Sequence, residues 1–316
     1  MAVAGVAIAV PVLAAAAVYA RHAASSTPAR HAGYARTSAA DSICAAPRDP
    51  RLAARVSGDL LDGLRRRYST VALAVDDRQA GLTCRLGGDW RVESASLVKL
   101  TVLGALLRRH MEERRHLTQD EASLAAAMIT ASDRAATSAL WQQLGRGGLQ
   151  HFLNLAGMTR TIPGPGGYWG LTQITAGDEM TLLKVLTTSN SVLDSASRQY
   201  ALHLMRDVIP SQRWGVPAGG PAGVTVAVQD SWIPRRPGDW LVDSIGSFTG
   251  RSSDYQIVVL TQDNATMPYG VATIEDAAEV IHRDLDPGAP AAVPPSTILP
   301  SQQAPDEQLP PLPPDP

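Results

Sequence analysis

A serine followed three positions later by a lysine, Ser96-Leu97-Val98-Lys99, is the pairing in this chain with the clearest chemical potential. On a helix the two side chains lie on one face about one turn apart, so the amine can reach the hydroxyl. A serine hydroxyl is a poor nucleophile until a base takes its proton. An amine serves as that base only when burial lowers its pKa and removes its charge. Of the 28 Lys plus Arg residues, only Lys99 and Lys184 are lysine. Arginine stays protonated at any pH a protein meets, so a chain that otherwise relies on it keeps lysine where a removable proton matters. The motif alone recurs by chance in a chain this long. Placed after a strand, at the start of an apolar helix and on one of two lysines, it reads as a nucleophile and its base. The helix start adds an electropositive end and a backbone N–H that suits an oxyanion.

Two further stretches supply polar groups such a pair would need. Ser132-Asp133-Arg134 begins a later helix, where Ser132 or Asp133 reads as an N-cap and Ser132 as a second hydroxyl for the site. The strand Trp240 to Phe248 contains Ser244, Gly246 and Ser247. Small residues there would let a substrate backbone approach and pair with a sheet edge.

These groups must be held by a substantial fold. Leu52 to Leu64 has helical spacing, and Val71 to Val75 with Gly81 to Leu86 read as a hairpin around Asp76 and Asp77. Helices follow at Leu97 to Leu107, Glu121 to Met128 (Thr118 and Glu121 forming a capping box), Arg134 to Leu144, Leu149 to Leu155, Met180 to Leu186 and Leu193 to Val208. Strands return at Val224 to Gln229, Trp240 to Phe248 and Tyr255 to Thr261, before a helix Ile274 to His282. Strands near both ends with helices between predict an α+β sheet assembled from distant segments beside a mostly helical lobe.

Composition narrows the partners. With 28 Lys plus Arg against 30 Asp plus Glu there is no basic excess to neutralise a phosphate backbone, so no nucleic-acid partner is expected. The seven histidines are scattered without metal-ligand spacing, so neither metal nor cofactor is expected. Residues 1–25 read as a signal peptide or membrane anchor, with membrane contact through the apolar run 2–20 and a secreted or envelope-associated location. Because Lys and Arg are absent before that run, a basic segment ahead of Met1 is expected to be missing. Residues 26–49 read as a loose linker, 50–286 as the folded domain and 287–316, with eleven of the 23 prolines, as a disordered tail. Cys44 and Cys84 form either a disulfide or two buried thiols. A monomer is expected.

In this order of motifs the chain resembles the serine β-lactamase and penicillin-binding protein superfamily, most nearly the class A β-lactamases, over roughly Leu52 to His282. The resemblance implies a five-stranded antiparallel sheet flanked by helices, an all-helical lobe, and a site in the cleft between them. It makes Ser96 the acylated nucleophile, Lys99 its proton partner and Ser132 the relay to the leaving nitrogen. It sets Ser244-Ile245-Gly246 where the family has K-T-G, and the N–H groups of Ser96 and Ser247 as the oxyanion hole.

Three departures stand beside it. Arg134 replaces the asparagine of S-D-N, where a cation would depress the pKa of Lys99 and bind a substrate carboxylate. Ser244 replaces the K-T-G lysine. Between Ser132 and Thr175 the only acidic residue is Asp133, so the family's water-activating glutamate is missing. Gln173 can position a water but cannot take its proton. The expectation is an exported serine hydrolase that acylates Ser96 with a small-molecule β-lactam or a cell-wall peptide and deacylates slowly. The alternatives are a D-Ala-D-Ala peptidase or a serine-dependent glutaminase on the same scaffold, and a non-catalytic envelope binding or regulatory protein.

Overall fold

The computed structural model describes residues 42–236, 238–251 and 253–297. The apolar run 2–20 and most of the expected linker lie outside them. Ser42 to Asp49 is nevertheless part of the body. A two-residue strand β1 (Cys44–Ala45) pairs with β3 (Leu82–Leu86), and Cys44 is disulfide-bonded to Cys84 directly opposite. Helix α1 (Pro50–Leu64) starts where Asp49 accepts the Leu52 N–H and Pro50 pre-sets the first turn, and it buries Leu52, Val56, Leu60 and Leu64 on one stripe. Strand β2 (Thr70–Asp77) returns into β3 through a turn in which Asp77 accepts from the N–H groups of Gln79 and Ala80.

After the short strand β4 (Val92–Glu93) the chain enters the helical lobe, made of α2 (Val98–Glu113), α3 (Gln119–Thr130) and α4 (Arg134–Ala156). The capping box is formed: Thr118 Oγ1 accepts from Glu121 N, and Glu121 Oε2 accepts from Thr118 N. The two helices expected over 134–155 both lie within α4, parted at Gly145, whose φ of +63° is left-handed. A loop then leads through β5 (Gln173–Ile174), which pairs with β4, to α5 (Ala176–Thr187) and α6 (Ser195–Arg206).

The chain closes with β6 (Thr225–Arg236), β7 (Asp239–Thr249), β8 (Asp254–Asn264) and α7 (Met267–Leu285). The antiparallel sheet runs β1-β3-β2-β8-β7-β6, five substantial strands plus the two-residue edge. Helices α1 and α7 pack together on one face, and α5 covers the other. The architecture is α+β, an antiparallel sheet flanked by helices with an all-helical lobe, as expected.

The order of strands corrects two expectations. Strand β7, carrying Ser244, Gly246 and Ser247, is internal and hydrogen-bonded to β6 on one side and β8 on the other. The free edge belongs to β6, which packs against the turn holding Ser96. At the other end, residues 287–297 do not begin a loose tail. Gly219 N donates to Val293 O, Ala292 N and Val293 N donate to Gly220 O, and Ser296 N donates to Glu275 Oε1 at 3.0 Å. Residues 292–296 thus belong to the folded body.

Candidate active site

The nucleophile's turn is set by unusual backbone. Ser94 N donates to Thr172 O at 2.8 Å, Ala95 takes a left-handed φ of +40°, and a 3-10 turn Ala95–Leu97 leads into α2. This leaves Ser96 partly accessible while Lys99, one turn on, is wholly buried. Lys99 Nζ stands 3.0 Å from Ser96 Oγ, as the spacing in sequence requires.

Ser132 arrives from the helical lobe. It sits between α3 and α4 with φ of +56°, a left-handed conformation uncommon for serine. Asp133, not Ser132, is the N-cap of α4, accepting from Ala136 N at 2.7 Å. Released from capping, Ser132 turns both its oxygens to the amine: Lys99 Nζ donates to Ser132 O at 2.8 Å and to Ser132 Oγ at 2.5 Å. Ser132 Oγ lies 3.2 Å from Ser96 Oγ. The two hydroxyls and the amine form a closed triangle.

Burial, and after it the like charge of Arg134, bring the Lys99 pKa down to about 7 against the opposing pull of Asp133. At neutral pH a substantial share of this amine is uncharged and can accept a proton. Arg134, half-buried at the first position of α4, therefore acts on the amine as its place in the sequence implied.

The loop from α4 to α5 presents no carboxylate to this triangle. It presents Trp169, whose ring centroid is 5.3 Å from Lys99 Nζ and whose Nε1 donates to Ser138 Oγ. Two fully buried acids, Glu179 on α5 and Asp243 on β7, are both pushed up to about 8, Glu179 by burial and then by Asp178 and Asp243, and Asp243 by burial. Asp243 is occupied by Ser231 Oγ and Thr261 N.

Ser244, Gly246 and Ser247 do not join the site. Ser244 is buried, accepts from Val216 N at 3.0 Å and donates to Trp214 O at 3.3 Å. A Cβ on Gly246 would meet Ala227 O and Val216 at 3.1 Å, so glycine there answers to packing between layers. Ser247 N lies within the sheet ladder and cannot serve an oxyanion at the free edge. The edge strand β6 continues through Asp230-Ser231-Trp232 to Arg236, and Arg235 pairs at 2.8 Å with Glu93, just ahead of the turn that holds Ser96. The sequence reading stopped this strand at Gln229 and missed them. A polar residue inside an apolar strand was the available signal. Asp230 is fully buried, accepts from Trp214 N, and has its pKa raised well above the ordinary value by burial. No group of three or more His, Cys, Asp or Glu able to hold a metal occurs among the described residues.

Residues 120–285, just over half of the chain, match the Beta-lactamase enzyme family. No curated protein matches the chain. Among solved structures, a variant of the reconstructed last common ancestor of Gram-negative class A β-lactamases is similar at 22% identity and TM-score 0.61, covering 72% of this chain and 96% of its own. A β-lactamase from Xanthomonas campestris is similar at 18% identity and TM-score 0.62, covering 73% and 97%. A point mutant of PBP-A, solved as an acyl-enzyme complex with penicillin G, is similar at 20% identity and TM-score 0.62, covering 73% and 96%.

Proposed function

Because the chain belongs to the beta-lactamase enzyme family, and so to the serine β-lactamase and penicillin-binding protein superfamily, we propose that it is an exported serine hydrolase working through an acyl-enzyme at Ser96. Uncharged Lys99 takes the Ser96 proton as Ser96 Oγ bonds to the carbonyl carbon of a β-lactam or a cell-wall peptide. The carbonyl electrons pass to oxygen and then return, the C–N bond breaks, and Ser132 Oγ relays the proton from Lys99 to the leaving nitrogen. The single observation that carries this reading is the amine of Lys99, buried and held between two hydroxyls at 3.0 and 2.5 Å.

Water must then release the ester, and the loop offers it an indole in place of a base. A missing general base costs about 100- to 10,000-fold in rate. Long-lived acylation is therefore expected, closer to a penicillin-binding protein than to an efficient antibiotic-destroying enzyme. Arg134 is the proposed anchor for a substrate carboxylate.

The test is adduct mass against time for the purified protein with a fluorescent penicillin and, separately, a fluorophosphonate, beside Ser96→Ala. A persistent penicillin adduct on Ser96 is the expected result. A transient one indicates a turning-over β-lactamase, and phosphonate labelling alone indicates a peptidase or esterase. No adduct with either overturns the reading in favour of a binding protein.

A further inference from the structure

The loop between α4 and α5 bears on Lys99 in a way neither serine does. Its 3-10 turn Trp169–Leu171 packs on the turn that carries Ser96. Trp169 is only 4% exposed, and its indole lies over the amine. It is held from several sides. Nε1 donates to Ser138 Oγ of α4 at 3.1 Å, and Trp169 O accepts from Thr172 Oγ1 at 2.7 Å and Thr172 N at 3.0 Å. The loop's opening is drawn to α4 as well, Arg146 Nη1 donating to Pro163 O at 2.6 Å.

A flat apolar face at this position has two consequences for an amine. It removes water from that flank, which makes carrying charge costly. Its quadrupole also attracts the ammonium that forms when the amine accepts a proton, so the proton can be held without the side chain swinging away. We infer that Trp169 is a positioning residue for Lys99: its pinned indole seals the amine from water and keeps it between Ser96 and Ser132. The inference rests on Lys99 as the base of the proposed reaction, but its test does not.

With two lysines in the chain, isotopic labelling of lysine gives two side-chain signals, and Lys184→Arg assigns that of Lys99. Its titration is read by NMR whether or not Ser96 is ever acylated. The unmodified protein is expected to show a midpoint near pH 7. Trp169→Ala admits water and should move the midpoint up by about one pH unit or more, a roughly tenfold fall in the ratio of uncharged to charged amine. Trp169→Phe keeps a flat apolar face and should stay within about 0.3 of a pH unit, with Ser138→Ala between the two. An unchanged midpoint in Trp169→Ala, or an equal displacement in Trp169→Phe, overturns the inference. Should Trp169→Ala fail to fold, an unchanged midpoint in Ser138→Ala overturns it. A low Lys99 midpoint that rises in Trp169→Ala, in a protein that forms no Ser96 adduct, defeats the catalytic reading and leaves this one standing.

Discussion

Lys99 donates to the main-chain carbonyl of Ser132 at 2.8 Å, and the carbonyl faces the amine because Ser132 adopts a left-handed φ of +56°. A conformation that costs of order 1–3 kcal/mol persists only where the surroundings enforce it. Here Asp133 enforces it from the next position by capping α4, while Asp133 N donates to Ala127 O at the end of α3. The second hydroxyl of the site is aimed by the join between two helices.

Lys99→Met and Lys99→Arg separate charge from volume. Methionine suits the buried position and should leave the fold intact, whereas arginine keeps the charge. Both should lower the rate of fluorophosphonate labelling at Ser96 by about 100- to 10,000-fold, measured beside circular dichroism of the same samples. A fully labelled Arg variant would remove Lys99 as the base.

Labelling should rise with pH through about 7 as Lys99 loses its proton. Arg134 lowers the Lys99 pKa, so Arg134→Gln should raise it and move the rise to higher pH. The outcome is several-fold slower labelling at pH 6.5 and little change at pH 9. A rate lowered equally at both would mean that Arg134 acts only through packing.

Stability should fall as pH rises from about 5 to 8. Glu179 and Asp243 titrate at about 8 in the fold against ordinary values of 4.5 and 3.8, so the folded state holds more protons and stability falls as pH rises through that interval. His282 titrates at about 4 against 6.5 because it is buried, accepting from Tyr255 and donating to Val216 O. Its contribution is present above 6.5 and lost as pH falls towards 4. Between pH 4.5 and 6.5 the two carboxyls outweigh the one imidazole, so urea melts at pH 5, 6.5 and 8.5 should show stability falling throughout, and Glu179→Gln should make the decline shallower.

Replacing Cys44 and Cys84 by serine frees a 40-residue loop and should cost about 2–4 kcal/mol in the same melts. Labelling of Ser96 should be unchanged, because the bond lies at the β1–β3 edge, at the opposite end of the sheet from β6.

What could be read from sequence was what depends on neighbours along the chain. The Ser96–Lys99 spacing, the Thr118–Glu121 box and the hairpin around Asp77 are local, and each formed. Ser132 was found through its motif, though the cap proved to be Asp133. The order of strands is not local. Ser244 and Asp230 pair across adjacent strands, and nothing in the sequence of either strand tells which lies outermost. Trp169 drew no role from the sequence because its effect depends on Ser138 and Lys99, 31 and 70 residues away.

The bonds from 292–293 to Gly219 and Gly220, with Ser296 held by Glu275, fix where the chain leaves the domain. Anything tethered beyond residue 297 pulls first on this clasp, and the clasp divides the tension between the 219–220 turn and the side of α7. Such a load enters α7 through Glu275 in its middle, not at its Leu285 end.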